Sequence, residues 1–195
     1  MNFPCGVAQL LAGVAEERAL LLGVPVAVAF SDAQGLPLCF SRMEGALPAA
    51  SDIAVSKAYT AAALRMSTHE LGAMSKPGEI LYGIQNLQPG RIVLFGGGFP
   101  ILLSGRPAGG IGVSGGTVEE DMDIARRALQ ALQAMEAWAD VLEPAVATFS
   151  GKRWTALSIL AAFSAAFGAQ GLHLDEPDER TLAGGWILAA ERVRR

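Results

Sequence analysis

The residues best equipped for chemistry begin with an alanine-rich run in which Ser56, Lys57 and Thr60 fall within five positions. On a helix Ser56 and Thr60 lie one turn apart and share a face, with Lys57 beside them. A lysine and a hydroxyl facing a sheet can hold a carboxylate. A lysine buried along its stem instead pairs with an acid, Asp121 for example, and both readings stand. Arg42, at the end of a strand-like run, either clamps a carboxylate through its planar fork or forms a surface ion pair. Lys57, Asp121 and Glu44 can also serve as acid or base where burial shifts their titration.

The chain has two histidines, His69 and His173. His69 is an axial ligand for an iron, a base, or a satisfied packing residue. Met43, Cys39 and Tyr82 are weaker iron ligands that also read simply as packing. Two histidines and the scattered Cys5 and Cys39 do not make a zinc site. Two glycine-rich stretches follow. Gly96-Gly97-Gly98, next to Phe99 and Pro100, marks either a close backbone approach or a wall without side chains against a flat ligand. Gly110 to Gly116, through Ser114, opens a helix, where free N–H groups attract anions. Glu119, Glu120, Asp121 and Asp123 crowd that helix start and repel phosphate, and no P-loop lysine follows, so a structural role is expected. No nucleophile elbow, HExxH, zinc-deaminase signature or dinucleotide fingerprint is present.

These residues need elements to position them. Val7, Leu10, Leu11, Val14 and Ala15 give helical spacing from Cys5 to Leu22, ended by Gly23-Val24-Pro25. Val26 to Phe30, the turn Ser31–Gly35 and Leu36 to Arg42 read as a hairpin. Ser51 is a plausible N-cap for a helix to about Met66, and Ser67 or Thr68 caps a short turn through His69, Glu70 and Leu71, broken by Lys76-Pro77-Gly78. Arg91–Phe95, Phe99–Leu103 and Ala108–Val113 read as strands of a meander. Thr117 and Glu120 form a capping box for a helix to about Leu142. The result is an α/β domain of the α+β type, over residues 1–143, with a C-terminal helical extension over 144–195.

Composition narrows the function classes. Of 195 residues, 51% are hydrophobic and 17% charged, which suits a packed domain with or without an appendage, not a disordered chain. The net charge is −4 and no Lys/Arg stripe exists, so a nucleic acid is not the expected partner and a basic membrane-surface helix is missing. The longest charge-free stretch, Trp154 to Leu172, is at the lower length limit of a membrane span and reads better as a buried helix. No signal peptide is evident, and two cysteines without metal spacing suit a reducing compartment; a cytoplasmic location is expected.

Four stretches, in order and spacing over about residues 5–142, resemble the GlcG/HbpS-like family, the haem-degrading or PduO C-terminal domain family. They are Val24–Gly35, Arg42–Ala46, Ser56–Ala61, and Gly96–Ile101 followed by Gly110–Asp121. The resemblance implies a PAS- or profilin-like fold, a five-stranded antiparallel sheet flanked by helices, and homo-oligomers. Some relatives bind haem or corrinoid-related cofactors. The leading expectation is therefore a haem- or tetrapyrrole-binding protein in which Arg42, Lys57, Thr60, Gly96, Gly97, Gly98 and Ser114 line the ligand and His69 is the iron-ligand candidate. Two alternatives are an enzyme acting on a small carboxylated or hydroxylated metabolite through Lys57 and Asp121, and an accessory oligomeric protein of a metabolic complex or microcompartment. The accessory reading rests on the apolar Trp154, Leu157, Leu160, Phe163, Leu182, Trp186, Ile187 and Leu188.

Overall fold

The computed structural model describes residues 3–150, with side chains through Met135. The chain divides into two compact units, 1–130 and 131–195. The helices expected beyond Trp154, and His173, lie outside the described residues.

The first unit begins with α1 (Cys5–Leu22), whose buried stripe is Val7, Leu11, Ala15 and Ala19, each one turn from the last. Gly23 closes it in the left-handed region, donating to the Ala19 and Leu20 carbonyls that the helix leaves free. The hairpin follows as β1 (Ala27–Asp32) and β2 (Pro37–Arg42). Asp32 shapes the turn by accepting the Gln34 and Leu36 N–H groups, both at 2.9 Å. Helix α2 (Pro48–Leu64) starts with Pro48 in its first turn, so Ser51, expected as its N-cap, is inside it. Proline at that position has its φ preset and no N–H to lose, which moves the cap from Ser51 to Leu47. Short α3 (Thr68–Met74) begins with a reciprocal Ser67–Glu70 capping box.

Strands β3 (Gly98–Leu103) and β4 (Arg106–Ser114) complete an antiparallel sheet of four strands in the order β2-β1-β4-β3. Five strands were expected. Residues 91–95 are not a strand because the Thr60 side chain on α2 captures their backbone: Thr60 Oγ1 lies 2.9 Å from the Arg91 carbonyl and accepts the Val93 N–H at 3.0 Å. Helix α4 (Val118–Ser150) starts at the expected Thr117–Glu120 box. It continues past Leu142, the expected end, and through Pro144; a proline deletes one donor, and helix formers on both sides carry the ladder past it.

The sheet has two unlike faces. Cross-strand partners share a face, so Ala29 and Gly112 lie on one side and Phe30, Ile111 and Phe99 on the other. On the small side Ala27 and Ala29 pack with Ala50, Ala54 and Ala58 of α2. A Cβ on Gly110 or Gly112 would collide with the Ala58 or Ala54 carbonyl, so α2 lies on β4 at backbone contact. On the large side Phe30 stacks on Phe3, just ahead of α1, with ring centres 6.1 Å apart.

Candidate functional site

Helix α2, pressed against β4, carries Lys57 into the interior. The Lys57 ammonium donates to the Val113 carbonyl and to Asp121 Oδ2, both at 2.7 Å, and lies 4.9 Å from the centre of the Phe95 ring. Its side chain is fully enclosed and that of Asp121 nearly so, at 0% and 4% exposure. Asp121 Oδ1 also accepts the Gly116 N–H at 3.0 Å. Burial holds the Lys57 ammonium below its ordinary titration range, against the pull of Asp121. Burial likewise raises the Asp121 carboxyl, despite Lys57 and the Gly116 amide. Both directions mean that loss of hydration outweighs attraction, as expected for an enclosed pair.

The glycine triplet surrounds this pair. A Cβ on Gly97 would lie 2.6 Å from the Val113 carbonyl and 2.7 Å from Lys57 Nζ, and its φ of +110° is one that glycine alone adopts freely. A Cβ on Gly98 would meet Thr68 Cγ2 at 2.5 Å and the Lys57 carbonyl at 2.8 Å, and one on Gly96 would collide with Met122. Close backbone approach, one of the two readings of this triplet, is what the structure displays. The same holds at the start of α4, where Asp121 and Glu120 take the Gly116 and Thr117 amides an anion would need.

The remaining expected site residues are scattered. Thr60 is buried against residues 91–93, and Ser56 donates to the Gly90 carbonyl at 3.2 Å. Ser114 is buried at the end of β4, paired across the sheet with Ala27. Arg42 is exposed and reaches back to the Ala46 carbonyl at 3.4 Å. Tyr82 is 66% exposed in the loop after α3. Of the expected set, Lys57, Gly97, Gly98 and Asp121 come together; Arg42 and His69 are not among their contacts.

His69 belongs to a second grouping. Thr68 and Gly98 exchange hydrogen bonds: the Gly98 N–H donates to Thr68 Oγ1 at 3.0 Å, and that hydroxyl donates to the Gly98 carbonyl at 3.4 Å. This joins the start of α3 to the start of β3 and sets His69 against Phe99, ring centres 5.6 Å apart and planes inclined by 54°. The Arg126 guanidinium on α4 lies over the same ring, 5.3 Å from its centre. His69 is half-buried, and its Nδ1 is buried without a hydrogen-bond partner. That nitrogen is closed off by the protein, so the exposed part of the half-buried imidazole lies elsewhere on the ring. No sequence signal ties Phe99 to His69 or Arg126 to Phe99; the Thr68–Gly98 clasp and the packing of α4 make the two contacts. Among the described residues no group of three or more His, Cys, Asp or Glu side chains could hold a bare metal ion, and no helix is long and apolar enough to cross a membrane.

Comparison with known proteins agrees with this architecture. An uncharacterized 15.0 kDa protein from the dhaT-dhaS intergenic region of Citrobacter freundii is 45% identical over 122 residues, 63% of this chain and 86% of that one. The corrinoid adenosyltransferase PduO of Salmonella typhimurium is also 45% identical over 122 residues, but the match spans only 36% of its length. A crystal structure of a PduOC:Heme complex superposes with a TM-score of 0.65 at 42% identity, covering 67% of this chain and 95% of that one. Residues 3–130 match the family described as haem degrading protein HbpS-like, and the chain belongs to that family.

Proposed function

We propose that this protein binds haem, or a closely related tetrapyrrole, at the His69–Phe99 contact. The observation that carries the reading is the half-exposed His69 imidazole set against an aromatic ring. The donor set fits the group: an imidazole suits iron, and an aromatic ring suits a flat macrocycle. Support also comes from the 42% identity to a protein crystallised with heme. When bound, haem supplies an iron that accepts axial ligands and changes oxidation state. The chain's part is to hold His69 through the Thr68–Gly98 clasp and the Ser67–Glu70 box, and to present Phe99 beside it.

Lys57 is not the propionate partner in this reading, because its ammonium is enclosed and engaged by Val113 and Asp121. The enzymatic reading built on Lys57 and Asp121 gains their convergence, but neither side chain is open to a substrate. Self-association belongs to the proposal. Ile80, Tyr82 and Leu87, exposed by 81%, 66% and 78%, form an apolar loop surface suited to a second copy. Free Cys5 and Cys39 suit a reducing, cytoplasmic compartment.

Titrating the purified chain with haemin tests the reading. The expected result is a saturable shift of the Soret band at micromolar protein that changes form in His69→Ala. A spectrum identical to free haemin throughout overturns it.

A further inference from the structure

Arg126 is exposed on α4, yet its surroundings are unusual for a surface arginine. The acid three positions before it, Asp123, is the natural intrahelical partner, but Arg18 of α1 holds it at 2.7 Å. The position one turn before Arg126 is Met122, which carries no charge. Glu120 is turned back on the Thr117 amide, and Asp121 is enclosed with Lys57. Glu70, beside His69 in sequence, is bound to the Ser67 amide and hydroxyl. Asp123, Glu120, Asp121 and Glu70 therefore each have a partner other than Arg126, and Arg126 makes no ion pair among the described residues. Its guanidinium is instead held over Phe99, the ring that also meets His69.

An arginine placed by an aromatic face and left without a counter-charge is prepared for an incoming anion. Its planar fork matches a carboxylate with two parallel hydrogen bonds, which a point charge does not reproduce. Phe99 fixes where such a carboxylate sits relative to a flat ring resting at His69.

We propose that Arg126 is the carboxylate anchor of the ligand site, and that the site selects planar macrocycles bearing free carboxylates over the same macrocycles without them. This inference rests on the tetrapyrrole reading above and names what that site discriminates. It makes Arg126 a specificity-determining residue, with iron ligation left to His69.

The test uses an iron-free probe, so that it does not depend on His69: protoporphyrin IX and its dimethyl ester, titrated by fluorescence against the full chain. Wild type is expected to bind the free acid about tenfold more tightly than the diester, the scale of one charge-assisted pair. Arg126→Gln should lose that tenfold for the free acid and leave the diester unchanged. Arg126→Lys, which keeps charge but not the fork, should recover only part. Arg127→Gln, which removes the same charge from an exposed neighbour, should retain the preference. Equal wild-type affinity for the two porphyrins, or equal losses in Arg126→Gln and Arg127→Gln, overturns the anchor while leaving tetrapyrrole binding intact. Failure of both porphyrins to bind wild type overturns the anchor, while the haemin titration above decides the function separately.

Discussion

Lys57 and Asp121, 64 positions apart in sequence, meet at 2.7 Å in the interior and join α2 to α4 across the end of β4. Removing one partner strands the other in a dry environment. Lys57→Met should cost about 3–5 kcal/mol in urea unfolding, and Lys57→Met with Asp121→Leu should regain most of it. The recovery should be incomplete, because the Val113 carbonyl and the Gly116 amide each lose a partner. A double variant no more stable than the single one would show that the pair, not its isolation, carries the energy.

The contact of α2 with β4 depends on residues without side chains. Gly112→Ala places a Cβ against the Ala54 carbonyl and must lift the helix from the sheet. A loss of about 2–4 kcal/mol is expected in thermal or urea unfolding, against a gain of up to about 1 kcal/mol for Gly13→Ala, which lies inside α1 and whose Cβ meets nothing within 4 Å. Similar losses at the two sites would contradict the close approach.

Glu70 gives the acid limb of stability a specific contributor. The Ser67 hydroxyl, and then the Ser67 amide, hold its carboxyl below the ordinary value of 4.5, against a smaller opposing effect of burial. A depressed folded value means the contribution is complete above 4.5 and disappears as pH falls through the folded value. Glu70→Ala should cost about 0.5–1 kcal/mol at neutral pH, at the lower end because the group is exposed, and nothing once Glu70 is protonated. Urea unfolding of both proteins across that range reads the difference directly; a cost independent of pH would rule out the carboxylate.

The two thiols should differ in reactivity. Burial raises the Cys39 thiol, with Cys5 and Glu16 adding to it, and the side chain is half-buried, whereas Cys5 is exposed. Iodoacetamide should modify Cys5 first in the folded protein, so Cys5→Ser should remove the fast phase and Cys39→Ser should leave it. Equal rates for the two would contradict the packing of β2 on α1.

The parts of this fold legible in the sequence are those governed by local chemistry. The Thr117–Glu120 capping box and the Asp32 turn form among neighbours along the chain, and each is where its residues imply; of Ser67 and Thr68, the two cap candidates for α3, Ser67 is the cap and Glu70 completes a box with it. The misread features depend on distant partners. Arg91–Phe95 has the composition of a strand but is held by one hydroxyl from α2. Gly110 and Gly112 read as structural and are so, but the α2 carbonyls they make room for, those of Ala58 and Ala54, are remote in sequence. The helix start at Pro48 was readable from its proline, and the competing Ser51 signal obscured it. His69 was visible as a histidine, but its contact with Phe99, and that of Arg126 with the same ring, arise only through tertiary packing.

In the proposed complex a tetrapyrrole sits against Phe99 with its iron at His69. A crystal of the protein grown with haemin, with anomalous data collected at the iron edge, locates that iron directly. The expected result is a single strong peak within bonding distance of the His69 imidazole and a macrocycle against Phe99. An iron peak away from His69, with the imidazole unchanged, would contradict it.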